Sequence, residues 1–191
     1  MNYPQYVEVN KKRYKINTDF RVAIECNNIA ENKNIGDFER VLAIIYKLFG
    51  EEALNDDENY DKLLELSLKY LNCGKEIDNS NEKPDMDYLQ DMDLIEASFM
   101  SDYHIDLSNT KMHWYKFSNL INGLSNSELG NCCILNNVRN LRNLDASKIE
   151  DSKERKKILD AQKYWALNKQ EYALTQEQQK SMETLNKLIG L

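Results

Sequence analysis

Apolar and polar residues alternate along Tyr6-Val-Glu-Val9 and again along Arg13-Tyr-Lys-Ile16, with Asn10-Lys11 between them. A period of two on either side of a two-residue turn predicts a short β-hairpin. A lone hairpin is marginal in water and must rest on something; the pattern that follows supplies helices. Thr18 and Asp19 are N-cap residue types, and Val22, Ala23, Cys26, Ile29 and Ala30 then share one helical face up to the Asn-rich stretch 32–34. Asp37 is read as the cap of a clearer helix, in which Phe38, Val41, Leu42, Ile45, Leu48 and Phe49 recur at helical spacing and Gly50 stands at the expected stop.

The acidic segment Glu51 to Glu58 reads as a loop. Tyr60, Leu63, Leu64, Leu66, Leu68 and Leu71 cover more than half of a helix circumference, which predicts a central, largely buried helix ended by Cys73-Gly74. Lys75 to Asp85, with Pro84, reads as a polar and mobile linker. Tyr88, Met92, Ile95, Phe99 and Tyr103 form one stripe, and Trp114, Phe117, Ile121 and Leu124 another that ends near Gly123. Ser125-x-x-Glu128 is a capping-box signature that predicts a further helix with Leu129, Cys133 and Val138. Glu154 to Leu167 reads as helical, with Ile158, Ala161 and Trp165 inward.

After Thr175-x-x-Gln178, the residues Met182, Leu185, Leu188 and Ile189 make a thin stripe, either a packed terminal helix or one awaiting a partner. No repeat is visible at the spacing of solenoid arrays. The expected fold is mainly α, a single-domain helical bundle with a short N-terminal β-hairpin. The expected partition is a hairpin over residues 1–17, a helical domain over 18–167 and an amphipathic helix or flexible tail over 168–191.

Composition narrows the class. With 191 residues and 41% apolar content the chain can bury one sizeable core. A net charge of -7 disfavours non-specific binding to phosphate backbones. The charge is uneven: Glu51 to Asp61 is acidic, whereas Lys148 to Lys163 is locally basic. These stretches read either as solvated faces or as a small docking patch. The first twelve residues carry no apolar signal region, and no stretch approaches the length of a membrane span. The expected location is therefore the cytoplasm of whatever cell makes the chain. None of the four cysteines forms a CxxC pair, so reduced, buried thiols are expected.

Candidate chemistry is sparse. His104 and His113 lie at no helical metal-binding spacing, and His104 beside Asp102 and Asp106 reads as a loop rather than as a metal site. Asp87, Asp91 and Asp93 lack the second acidic helix that a di-metal bundle site requires. Cys73 with His113 lacks an orienting third group. Phosphate-binding glycine loops and a nucleophile elbow are missing. Lys111 to Lys116 interleaves bases with aromatics, but Trp114 and Phe117 fit an inward stripe. No catalytic, cofactor-binding or metal-binding residue is assigned, and the expectation is a protein that is not an enzyme.

Four phrases nevertheless follow one another along the chain: Tyr14-Lys-Ile-Asn-Thr-Asp-Phe-Arg21, Leu71-Asn-Cys-Gly-Lys75, Met112-His-Trp-Tyr-Lys-Phe117 and Asp145-Ala-Ser-Lys-Ile-Glu-Asp151. With Gln90-Asp91, Tyr103-x-Ile-Asp-Leu107, Leu120-Ile-Asn-Gly-Leu124, Arg142-x-x-Asp145 and Tyr164-x-Ala-Leu167, this ordered set resembles a family of small bacteriophage proteins named for a founding gene product fifteen. The resemblance covers roughly Tyr14 to Leu167. Leu141 stands where members tend to carry an aromatic residue.

The resemblance implies a place in the tail module, beside the tape-measure gene, where tail assembly chaperones are encoded, and so the cytoplasm of a bacterial host cell, with transient presence in tail assembly. It implies no catalytic residues. The implied partners are the tape-measure protein or other tail proteins, with a possible homo-oligomer and no nucleic acid or membrane. The expected partner-binding residues are Tyr88, Met92, Phe99, Tyr103, Trp114 and Phe117 around a helical groove, and Met182, Leu185 and Ile189 on the terminal stripe. The rival readings are a tail completion or connector component of the virion, an enzyme with an unrecognised site, and a regulatory or host-interaction protein.

Overall fold

The computed structural model describes residues 3–75, 84–126 and 132–168. The fold is mainly α with a two-stranded N-terminal hairpin, and its contacts divide into two compact units. Residues up to 75, joined by 112–115, belong to the first; residues 84–111, 116–126 and 132–168 belong to the second.

In the first unit β1 (Tyr6–Val9) pairs antiparallel with β2 (Lys12–Lys15), Val7 opposite Tyr14 and Val9 opposite Lys12. Asn10 and Lys11 have φ of 49° and 68°, the left-handed pair that a two-residue hairpin turn requires. Val9, Tyr14 and Ile16 point into the core, which is the support the hairpin needs. Helix α1 (Phe20–Glu31) is capped by the Asp19 carboxylate, which accepts from the Arg21 amide. It packs on α2 (Asp37–Phe49), and α2 packs on α4 (Tyr60–Leu71). Ala23, Cys26, Ile29, Leu42, Ile45, Leu48 and Leu63 fill the space between them, and Cys26 and Leu63 are fully buried.

Several expectations are corrected. Gly36, not Asp37, is the cap of α2, and the Glu39 carboxylate accepts from its amide at 2.7 Å. Phe38 belongs to the α2 stripe in sequence yet is 60% exposed, and Ala30 of α1 is also exposed. The acidic segment is not a loop: Gly50, at φ 79°, lets the chain turn straight into α3 (Glu51–Leu54), which buries Ala53 and Leu54. Glu51 and Glu52 sit at its N-terminus, where carboxylates are favoured. Helix α4 is buried on one face only, through Leu63, Ser67, Tyr70 and Leu71, while Leu68 faces out.

In the second unit α5 (Met92–Tyr103) packs against α7 (Ile134–Asn143), and α7 against α8 (Ser152–Tyr164). Helix α6 (Trp114–Asn122) supplies Phe117 and Ile121 to this core from its later turns. Phe99 and Phe117 stack at 5.3 Å, and Ile95, Leu107, Leu135 and Val138 complete the interior. The stripe that opens at Tyr88 becomes helical only at Met92. Helix α7 is capped by Cys133, whose sulfur accepts from the Asn136 amide; Glu128 and Leu129 of the expected capping box lie outside the described residues. Helix α8 stops at Tyr164 and buries no residue fully. The expected linker over 76–83 and the terminal stripe also lie outside the described residues. No helix of the described residues is long and apolar enough to cross a membrane.

Candidate functional site

The phrases that run along the sequence meet in space within each unit. In the first, the Trp114 amide donates to the Thr18 carbonyl at 2.8 Å and the Phe20 amide to the Met112 carbonyl at 3.0 Å. The Trp114 indole donates to the Leu71 carbonyl at 2.9 Å. That carbonyl is freed by the end of α4, where Cys73 (φ 54°) and Gly74 (φ 77°) reverse the chain and the Gly74 amide returns to the Lys69 carbonyl. A Cβ on Gly74 would lie 3.4 Å from the Tyr115 hydroxyl, so the glycine serves both the backbone and the ring packed beside it.

His113 stacks on Tyr3 at 4.9 Å; its Nδ1 accepts from the Tyr115 amide and its Nε2 lies 2.9 Å from the Pro4 carbonyl. These partners assign the proton to Nε2 and a structural role to the ring. Tyr70 stacks on Tyr115 at 5.3 Å. Burial, more than the neighbouring Tyr115 phenol, pushes the Tyr70 hydroxyl well above the ordinary phenol range.

In the second unit Arg142 and Asp91 form a two-pronged ion pair, both contacts at 2.7 Å, with side chains only 7% and 2% exposed. Arg142 also donates to the Trp165 carbonyl at 2.7 Å and to the Asp85 carbonyl at 2.9 Å. Asp91 accepts in addition from the Asp87 amide. Gln90 donates to the Ala166 carbonyl and accepts from the Asn168 amide. Gln90-Asp91, Arg142 and Tyr164-x-Ala-Leu167 are therefore one clamp, which ties the entry to α5, the end of α7 and the strap after α8. Asp87 closes the turn before α5 by accepting from Leu89 and Gln90, so both aspartates are committed to structure. His104 ends α5 at φ 55° and is exposed. Asp106 accepts from Ser108 and Asn109, bonds that hold its carboxyl below the usual range. Among the described residues no group of three or more side chains could hold a metal ion.

The same unit carries an open trough of about 920 Å³ between the C-terminal half of α5 and the start of α7. Ala97, Tyr103, Cys133 and Ile134 supply its apolar lining, and Ser101, Asp102, Ser125 and Asn137 its polar one. Tyr103 donates to the Leu120 carbonyl at 2.9 Å, and a Cβ at Gly123 would approach its hydroxyl to 2.9 Å, so only glycine leaves this ring its place. Asp102 accepts from the Ser125 amide at 2.8 Å; chiefly that bond holds its carboxyl below the usual range. Asn136 donates to the Leu124 and Ser125 carbonyls from below, and the Ser98 hydroxyl accepts from the Leu135 amide. The trough walls are thus braced by hydrogen bonds.

Of the residues expected to meet a partner, Tyr103 lines this trough. Phe99, Phe117 and Trp114 are core, and Tyr88 and Met92 are half-buried. Met182, Leu185 and Ile189 lie outside the described residues. The missed lining residues, Ala97, Ile134 and Asn137, carry no sequence signal beyond helical spacing.

Fold and site define a mainly helical protein with polar clamps and an open trough. Over residues 2–167 the chain matches the model of the family described as bacteriophage Gp15 protein, and it belongs to that family. Its class is therefore that of a phage structural or assembly protein. No curated protein and no solved structure matches the chain.

Proposed function

We propose that this protein is a non-catalytic chaperone of phage tail assembly that covers the tape-measure protein before the tail tube forms around it. The observation that carries the reading is the trough: apolar along Ala97, Tyr103 and Ile134, polar at Asp102 and Asn137, and braced from beneath. Such a surface suits helix-in-groove recognition, in which apolar anchors at helical spacing give affinity and the polar rim gives orientation. A long helical partner with repeated apolar stretches is better covered by many weak copies than by one tight clamp, because each added copy binds beside the last. Ile134, 44% exposed, is the side chain best placed to meet such an anchor.

The test is co-expression with the tape-measure protein of the same phage, followed by pull-down and sizing. A soluble complex holding several copies per tape measure, lost in Ile134→Glu and kept in an Ile158→Val control, supports the reading. An insoluble tape measure beside an unbound protein overturns it. Recovery of the protein from purified virions would instead mark it as a tail completion or connector component.

A further inference from the structure

We propose that copies of this protein associate, the outward face of α8 on one copy docking on the acidic aromatic patch around α3 and the start of α4 on another. The two surfaces are complementary in charge and alike in construction. On α8, Lys153, Lys156, Lys157 and Lys163 are exposed, and none is ion-paired among the described residues. The same helix exposes Leu159, at 49%, and Tyr164, at 79%, and its lysines outnumber its exposed carboxylates Glu154 and Asp160. The inward face of the helix carries Ile158, Ala161 and Gln162, and Gln162 is held by the Leu141 and Leu144 carbonyls, so the lysine face is turned away from its own unit.

The first unit carries the counterpart. Phe38, 60% exposed, lies 6.4 Å from the Tyr60 ring, and the Tyr60 hydroxyl donates to the Leu54 carbonyl, which joins the aromatic pair to α3. Asp57, Glu58 and Asp61 flank Tyr60 along the chain and Glu51 opens α3; all four are exposed and have no ion-pair partner among the described residues. Cations of the same elements are already engaged: Lys12 reaches Glu52 and Asp56, Lys62 bonds Glu65 at 2.6 Å and Arg40 pairs with Asp37. Each face therefore combines exposed apolar side chains with charge of predominantly one sign, as docking surfaces do. The signs are opposite.

Nucleic acid is the poorer occupant of the α8 face. The chain carries a net charge of -7, which repels phosphate, and Arg155, the one arginine of the helix, turns inward onto the Ile149 carbonyl at 2.9 Å. A contact between unlike patches closes as a pair only where both contacts form at once about a two-fold axis, and otherwise builds a ring or an open row. This surface is distinct from the trough and stands without the tape-measure reading.

The experiment is sedimentation velocity on the full chain over a range of concentration and salt. Wild type is expected to associate, and to dissociate as salt rises from about 0.05 M to about 0.5 M, because rim charges are screened. Two charge-reversed proteins follow, one with Glu51→Lys, Glu58→Lys and Asp61→Lys, the other with Lys156→Glu, Lys157→Glu and Lys163→Glu. Each alone is expected to weaken association by about tenfold or more, and an equimolar mixture to restore it. Circular dichroism checks that both fold. Phe38→Ala and Tyr164→Ala, exposed truncations that leave every charge in place, are each expected to weaken association as well. A wild type that stays monomeric at low salt overturns the proposal, and so does a mixture of the reversed proteins that fails to reassemble.

Discussion

The guanidinium of Arg142 meets the carboxylate of Asp91 through two contacts of 2.7 Å, in a place where neither side chain is more than 7% exposed. Two more donors of Arg142 go to the Trp165 and Asp85 carbonyls, and Asp91 also accepts from the Asp87 amide. A buried pair satisfied this fully is costly to break on one side only, because the survivor is left charged and desolvated.

Arg142→Met and Asp91→Ala are therefore each expected to destabilise the protein by about 3–5 kcal/mol, and the double substitution by much less than their sum. Urea unfolding of the set measures this. Additive losses would show that the pair does not act as a unit.

Tyr70 places a hydroxyl in the core of the first unit, 3% exposed, with no hydrogen-bond partner among the described residues. Tyr70→Phe keeps the ring on Tyr115 and removes the unsatisfied group, so a gain of about 1 kcal/mol is expected. A loss of stability would mean that the hydroxyl is bonded in solution.

At the hairpin, Lys11 holds a left-handed conformation at φ 68°, which costs an ordinary residue about 1 kcal/mol. Lys11→Gly turns the corner into Asn-Gly, the favoured pair for this turn, and should raise the denaturation midpoint by about 0.5–1 kcal/mol equivalent. A fall would show that the lysine side chain contributes more than its backbone costs.

Asp102 has its carboxyl held low, mainly by the Ser125 amide, and Asp106 and Asp145 are held low by Ser108 and Ser147. A depressed value means that the stabilisation is complete above the ordinary carboxylate range, about 4, and fades as pH falls through the lowered value. Stability should thus decline from about pH 4 downward, and Asp102→Ala should make that decline shallower while weakening the protein at neutral pH. An unchanged acid slope in the variant would remove Asp102 from this account.

Cys26 is fully buried, and burial pushes its thiol far above the ordinary range, while Cys73 and Cys132 are half-buried. In native protein a thiol reagent should modify Cys73 and Cys132 long before Cys26, because the thiolate is the reactive form. Equal rates would mean that the first unit opens as fast as it reacts.

Helical stripes and the alternation of the hairpin were legible because they are local: each follows from residues within one or two turns of one another. The Asn10-Lys11 turn, the Asp19 cap and the stop at Cys73-Gly74 all stand where the residues predicted them. Composition misled at Glu51 to Glu58, where five carboxylates hid the pair Ala53 and Leu54 that anchors a helical turn. Periodicity also overreached. Phe38 and Leu68 are periodic and exposed, whereas Phe99, Trp114 and Phe117, expected to meet a partner, are core. A stripe tells that a face is apolar, not whether another element covers it.

By itself the chain determined most of the helical segments, the α3 turn excepted, and which bacteriophage family the ordered phrases belong to. Only the tertiary structure decided that Arg142 meets Asp91 across 51 positions, that the Trp114 indole closes the end of α4, and that Tyr103 lines a trough while Phe99, four residues before it, does not. The reason is physical. Local structure is set by backbone geometry and near neighbours, whereas ion pairing and exposure depend on which distant surfaces exclude water from one another.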